Sequence, residues 1–398
     1  MRAPVRRRVA AILAALGPLG WFGMNPLGPT EHGGRPDVSL TLTARSEGGR
    51  YTLNGVTPGP QIHVRPGQLL QVTLVNESVP EGTALHWHGI AGLTPDAVLG
   101  VGERHVYRFT APDEGTYWYH SQGLFGALVV GRSAADVDEV LVVHTYDGRR
   151  TINGAPGLSS LTGPLPVWGS VARVRVINTD AGPIRIWVSG SLFRVVAVDG
   201  RPVYRPVDIS DKSVLVAAGG RVDLSFTGAA RVDVGGGAAA VWGTVPGAAR
   251  PSSVLDLLSY GAPRALGFDP ARASRHFEYR IGRRIGFLDG VPGLWWSVNG
   301  RFFPDGLTYV VQKGDIVRMT LSNTSGRAHS MHLHGHSAVV LSRNGVAATG
   351  SPWWFDSLEV GDGDTYEIAF VADNPGIWAA HCHDLLASLA YAFPSPPR

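Results

Sequence analysis

From residue 37 onward, apolar and polar positions alternate in short runs bounded by Gly, Pro, Asn and Asp, and no stretch sustains a helical period. The runs at 38–44, 105–110, 184–188, 221–226 and 365–370 each read as a half-buried strand. One run recurs three times in the same frame: GQLLQVTLVN at 67–76, GSVARVRVIN at 169–178 and GDIVRMTLSN at 314–323. Each copy follows an Asn-Gly turn signal, at Asn54-Gly55, Asn153-Gly154 and Asn299-Gly300. Turn and strand repeated in one order predict three copies of a single β unit. The fold class that follows is all-β, with three Greek-key β-sandwich domains at 37–132, 136–247 and 268–398. The Gly/Ala/Pro-rich stretch 243–267 is expected to link the second and third.

The first and third units share a further block. APDEGTYWYH at 111–120 aligns without gaps on ADNPGIWAAH at 372–381, and LHWHG at 85–89 on MHLHG at 331–335. The second unit has one histidine, His144, and neither motif. Chemistry is therefore expected in the first and third units, with the second as a spacer that binds no metal.

Composition narrows the picture only slightly. A chain of 398 residues makes roughly two to four domains, and 52 Gly with 28 Pro suit many tight turns. The formal charge is +3, and the cationic residues, nearly all arginine, are scattered, so no nucleic-acid footprint exists. A lone cysteine, Cys382, excludes an intramolecular disulfide. The N-terminus carries Arg6-Arg7-Arg8 and then an apolar run over 9–22, short of the roughly 20 residues that span a bilayer. It predicts a signal peptide or membrane anchor over 1–36, hence an exported protein, extracellular or held at the cell envelope.

The histidines carry the strongest signal. Of 14, nine fall in four clusters: His86/His88, His120, His329/His332/His334/His336 and His381/His383. On a strand, residues i and i+2 share a face, so His-x-His sets two imidazoles side by side. A structural zinc site uses four ligands and favours several cysteines. Many imidazoles around one thiol favour copper instead, His₂Cys being the blue-copper set. In His381-Cys382-His383 the two imidazoles face one side and the thiol the other, which places a thiolate metal a few covalent bonds from metal on the opposite side.

With HWHG at 86–89, YWYHSQ at 117–122, HSMHLHGH at 329–336 and HCHDLL at 381–386, the chain resembles the multicopper oxidases, a family that includes laccases, ferroxidases and cuprous oxidases. The resemblance covers nearly all of 37–390 and implies cupredoxin-like domains. It implies type 2 copper ligands at His86 and His332, and type 3 ligands at His88, His120, His334, His381 and His383. It implies type 1 ligands at His329 and Cys382, no ligand role for His336, and a trinuclear site between the first and third domains. Dioxygen and a phenolic or metal-ion electron donor are the implied partners.

Three positions depart from the family pattern. Gln122 stands where a second histidine of the YWYHSQ motif belongs, Ala387 where a second type 1 histidine belongs, and Ala392 at the axial position. One-residue deletions would explain the first two as well as substitutions do. The implied activity is one-electron oxidation of a donor coupled to reduction of dioxygen to water, with an impaired type 1 site. The competing expectation is a non-enzymatic copper-binding or structural envelope protein of the same fold. Copper nitrite reductase is disfavoured because both histidines of the HCH motif would have no use there. With methionine only at 1, 24, 319 and 331, no Met-rich segment suggests cuprous ions as donor. Asp96 and Asp384 are candidate proton-delivering acids by position alone.

Overall fold

The computed structural model describes residues 34–91, 98–160, 169–288, 291–302, 309–376 and 378–382. His383, Asp96, Asp384, Ala387, Ala392 and most of the N-terminal segment lie outside them. The regular structure is β throughout, apart from one short 3₁₀ turn at Pro270–Arg272.

The repeated sequence builds one sheet motif three times. Val38–Glu47 runs parallel to Leu69–Asn76, which pairs antiparallel with Arg104–Thr110. Val137–Tyr146, Val171–Asn178 and Arg221–Thr227 repeat that order. So do Arg275–Leu288, Ile316–Asn323 and Thr365–Val371. Leu69–Asn76 and Ile316–Asn323 alternate between half-buried and buried at every step, as the sequence period requires.

Two asparagines explain why each copy folds alike. In the turns, Asn54, Asn153 and Asn299 have φ of 54°, 51° and 48°, a left-handed region asparagine tolerates better than most residues. Their side chains clip the neighbouring strand. Oδ1 accepts from the backbone N–H of Thr43, Val142 and Arg280 at 2.7, 2.8 and 2.7 Å. Nδ2 donates to the carbonyls of Thr41, Val140 and Glu278 at 3.0, 2.8 and 2.7 Å. The strand-ending Asn76, Asn178 and Asn323 are wholly buried. Asn323 Nδ2 donates to the carbonyls of Arg327, Val360 and Gly361 at 2.7, 2.9 and 3.1 Å, and Asn178 does the same to Gly182, Val216 and Ala217. A buried amide is tolerated only when its donors are satisfied, so these residues pin loop to strand at one place in every copy.

Each of these sheets belongs to a cupredoxin-like β-sandwich whose second sheet carries other strands. In the first, the order is Ile62–Val64, Leu124–Val130, Gly115–Ser121, His86–His88; in the last, Ser357–Val360, His329–Leu333, Ala380–Cys382. Apolar side chains fill the space between sheets, such as Val174, Ile186, Leu224 and Trp242 in one core and Tyr279, Val317, Ile368 and Phe370 in another. The chain divides into two compact units. Of the described residues, one holds those up to Glu114 with Trp118–Gly131; the other holds Gly115–Tyr117 and those from Arg132 to Cys382. Residues 243–267 form no named strand, yet Leu258 and Tyr260 are buried, and the Tyr260 hydroxyl donates to Val207 O at 2.8 Å and accepts from Val195 N at 3.0 Å.

Candidate metal centre

In the first unit the strand His86–His88 pairs antiparallel with Gly115–Ser121, placing His86 opposite His120 and His88 opposite Trp118. Alternation sends Trp87 the other way, among the rings of Tyr107, Phe109 and Tyr119. The three imidazoles stand 5.2 to 5.6 Å apart, centroid to centroid. One ring nitrogen of each lies within 4.8 Å of the others, and His88 Nδ1 is 3.5 Å from His120 Nε2. Imidazole nitrogens bind first-row divalent ions at about 2 Å, so small ring rotations suffice for two of them to share an ion.

Trp118 had no role in the sequence reading. Its indole stacks on His120 at 4.1 Å and 20°, and on His88 at 4.9 Å and 27°. The signal was present in its spacing, since Trp118 lies two residues before His120 on one strand and shares its face. The strand stops at Ser121, whose hydroxyl accepts from Thr83 Oγ1 at 3.1 Å. Gln122 and Gly123 (φ 71°) then turn the chain into Leu124–Val130. The place of a second histidine is thus taken by a turn.

In the third copy of the repeat His329–Leu333 lies between Ser357–Val360 and Ala380–Cys382, with His332 opposite His381 and Met331 opposite Cys382. This repeats the pairing of His86 with His120. The rings of His332 and His334 are 4.5 Å apart, and those of His334 and His381 4.9 Å. His334 Nε2 and His381 Nε2 face each other at 2.7 Å. His381 Nδ1 donates to Cys382 O at 3.0 Å, leaving Nε2 as its lone-pair atom, and burial pushes its pKa down, keeping it neutral. His332 Nδ1 donates to the Asp356 carbonyl at 2.8 Å, so its Nε2 likewise carries the lone pair. The role of Asp356 was not legible, because a backbone carbonyl leaves no residue signature.

Residues opposed across a strand pair point to one face. His329, Met331 and Cys382 therefore occupy the face opposite to that of His332 and His381. Cys382 is buried. His329 Nε2 lies 2.9 Å from Ser325 Oγ, which also donates to Arg327 O at 3.0 Å. A hydroxyl has one hydrogen, so the serine accepts from His329 Nε2 and the imidazole's lone pair lies on Nδ1. Trp296 meets the same imidazole edge-on at 4.9 Å.

Among the described residues, His336 and His144 belong to neither set. His336 is buried against Phe370 and Trp378, and burial lowers its pKa. His144 Nδ1 contacts Thr179 Oγ1 at 3.1 Å and Asp180 at 3.6 Å. Among the described residues, 136–247 contains no group of three side chains placed to share a metal ion.

Comparison with known proteins agrees with this geometry. Residues 39–135 and 280–388 each match a family profile described as multicopper oxidase. Laccase-1 of Botryotinia fuckeliana is 27% identical over 83% of this chain and 75% of its own length. The multicopper oxidase MmcO of Mycobacterium tuberculosis is 25% identical over 89% and 85%. Among solved structures, a multi-copper oxidase from Pseudomonas thermotolerans superposes with a TM-score of 0.70 at 24% identity, covering 91% of this chain and 100% of the other.

Proposed function

Because the chain belongs to the multicopper oxidase family, we propose that it oxidises a phenolic or metal-ion donor one electron at a time and passes the electrons to dioxygen, forming water. The observation that carries this reading is the doubled pairing: His86 opposite His120 and His332 opposite His381, each beside a second histidine, with Cys382 turned to the other face. Copper, when bound, supplies the one-electron chemistry and the dioxygen site.

The chain's own residues hold and orient. We assign His86 and His332 to a type 2 copper and His88, His120, His334, His381 and His383 to type 3 copper, with His329 and Cys382 for type 1. The donor set fits the metal, since every imidazole whose tautomer is fixed presents a lone pair and burial keeps His381 uncharged. The opposed Nε2 atoms of His334 and His381 share a proton in the metal-free protein, and loss of that proton would let both nitrogens hold a cation. His381 and Cys382 are consecutive on one strand and face opposite ways, so one peptide unit links the two sides of the sheet.

The type 1 site is the weaker part. Ala387 at the expected second histidine leaves His329 and Cys382 as its ligands, and slow electron entry follows. The same departure, with Gln122, favours a second reading in which the protein holds copper without turning over. An exported or envelope-anchored location, through residues 1–36, suits both.

Oxygen uptake by the copper-loaded protein, with a phenol or ferrous ion as donor, separates them. The enzyme reading expects donor-dependent uptake that Cys382→Ser abolishes while copper at the histidine sets remains. Uptake no greater than that of free cupric ion would leave the copper-holding reading standing.

A further inference from the structure

The second copy of the repeat, which has neither histidine motif, contributes a buried arginine to the neighbourhood of His332. Arg221 is wholly buried, and its guanidinium grips Asp356 in fork geometry, Nη1 to Oδ1 at 2.5 Å and Nη2 to Oδ2 at 2.7 Å. Asp199, also buried, completes the cluster. Its Oδ1 accepts from Arg221 N at 2.8 Å, and its Oδ2 accepts from the N–H groups of Asp356 and Ser357, both at 3.0 Å. Asp356 is thereby held at its side chain and its N–H. Its carbonyl receives His332 Nδ1 at 2.8 Å and Leu333 N at 2.9 Å.

Stability does not explain this arrangement. Burying two carboxylates and one guanidinium costs more desolvation than their attraction returns in many proteins, and a well-packed apolar cluster often serves as well. Burial and the neighbouring Asp356 carboxylate push Asp199 up to about 6, so one arginine does not settle both acids. What the cluster does fix is the position of one carbonyl, and that carbonyl sets the orientation and tautomer of one imidazole.

We infer that Arg221, acting through Asp356, is a positioning residue for His332, so that the second copy of the repeat sets the affinity of one metal position. This rests on His332 being a copper ligand. The physical basis is general: a ligating histidine needs its other ring N–H anchored, and losing that anchor costs roughly 10–100-fold in metal affinity.

The test titrates metal-free protein with cupric ion against a competing chelator and follows the electron paramagnetic resonance spectrum. Arg221→Met should weaken one copper by roughly 10–100-fold and shift its hyperfine splitting, with the other coppers unchanged. Arg221→Lys should fall between, because an ammonium cannot form the fork. In metal-free protein, ¹⁵N imidazole NMR should place the His332 proton on Nδ1, and in Arg221→Met it should divide between the two nitrogens. Should Arg221→Met fail to fold, Asp356→Asn, which keeps shape and loses the charge, carries the same comparison. If His332→Ala retains every copper, the ligand reading falls and the positioning role with it. If His332→Ala loses a copper while the Arg221 and Asp356 variants match wild type in affinity and spectrum, the ligand stands and the positioning role is overturned.

Discussion

Replacing Asn323 with alanine removes a clamp that the third copy of the repeat shares with the second, and the two copies control for each other. Asn323 donates at 2.7, 2.9 and 3.1 Å and accepts from Ser325 N at 3.0 Å. Asn178 donates at 3.0, 3.1 and 2.9 Å and accepts from Asp180 N at 3.1 Å. The amide has two hydrogens to share among its three carbonyls, so with the accepted bond it makes about three bonds, and at about 1 kcal/mol net for each either Asn→Ala change should cost about 3 kcal/mol, with carbonyls left buried and unpaired. Only Asn323 also anchors Ser325, whose hydroxyl holds His329. Urea unfolding followed by tryptophan fluorescence should therefore show similar losses for Asn323→Ala and Asn178→Ala. Copper bound at His329 and Cys382 should fall only in Asn323→Ala. A loss under about 1 kcal/mol in either variant, or an equal loss of copper in both, would refute the reasoning.

Three other outcomes are expected. Trp118→Ala should lower copper occupancy at the His88/His120 pair, and Trp118→Phe should retain more of it, because a smaller ring still stacks on both imidazoles; equal metal content in the two would show the indole to be passive. Burial raises the Glu359 carboxyl pKa above its ordinary value, partly offset by the Ser330 hydroxyl. The unfolded chain then loses its proton first as pH rises, so the native protein loses stability as pH climbs past the ordinary carboxyl range, and Glu359→Gln should gain on wild type there; a pH-independent difference in urea midpoints would contradict this. His144→Ala should leave copper content unchanged, and loss of a copper would place a metal site where the repeat has no ligand motif.

Much of this was legible because its causes are local. The Gly-to-Asn frame and the Asn-Gly turns are stereochemical requirements written in residue identity, and His-x-His needs only the two-residue period of a strand. Pairing across strands was partly legible, since the matched blocks 111–120 and 372–381 imply matching registers. What escaped acts through tertiary placement. Trp118 reads as one more core aromatic until its stacking is seen, and Arg221 sits in the copy without the histidine motifs, 135 residues from the Asp356 it grips. Residues 243–267 have the composition of a connector, which does not reveal that Tyr260 bridges Val195 and Val207.

In the proposed function, two sets of histidines and one cysteine bind copper as a multicopper oxidase does, with a weakened type 1 position. Copper per chain after anaerobic loading and dialysis, read together with the visible absorption spectrum, tests it most directly. The account predicts about three tightly held coppers, from seven imidazoles at two to three per ion, and little of the intense thiolate-to-copper colour of a His₂Cys site. A protein holding no copper after dialysis would contradict the metal centre, and an intensely blue protein with a full further copper would contradict the weakened type 1 site.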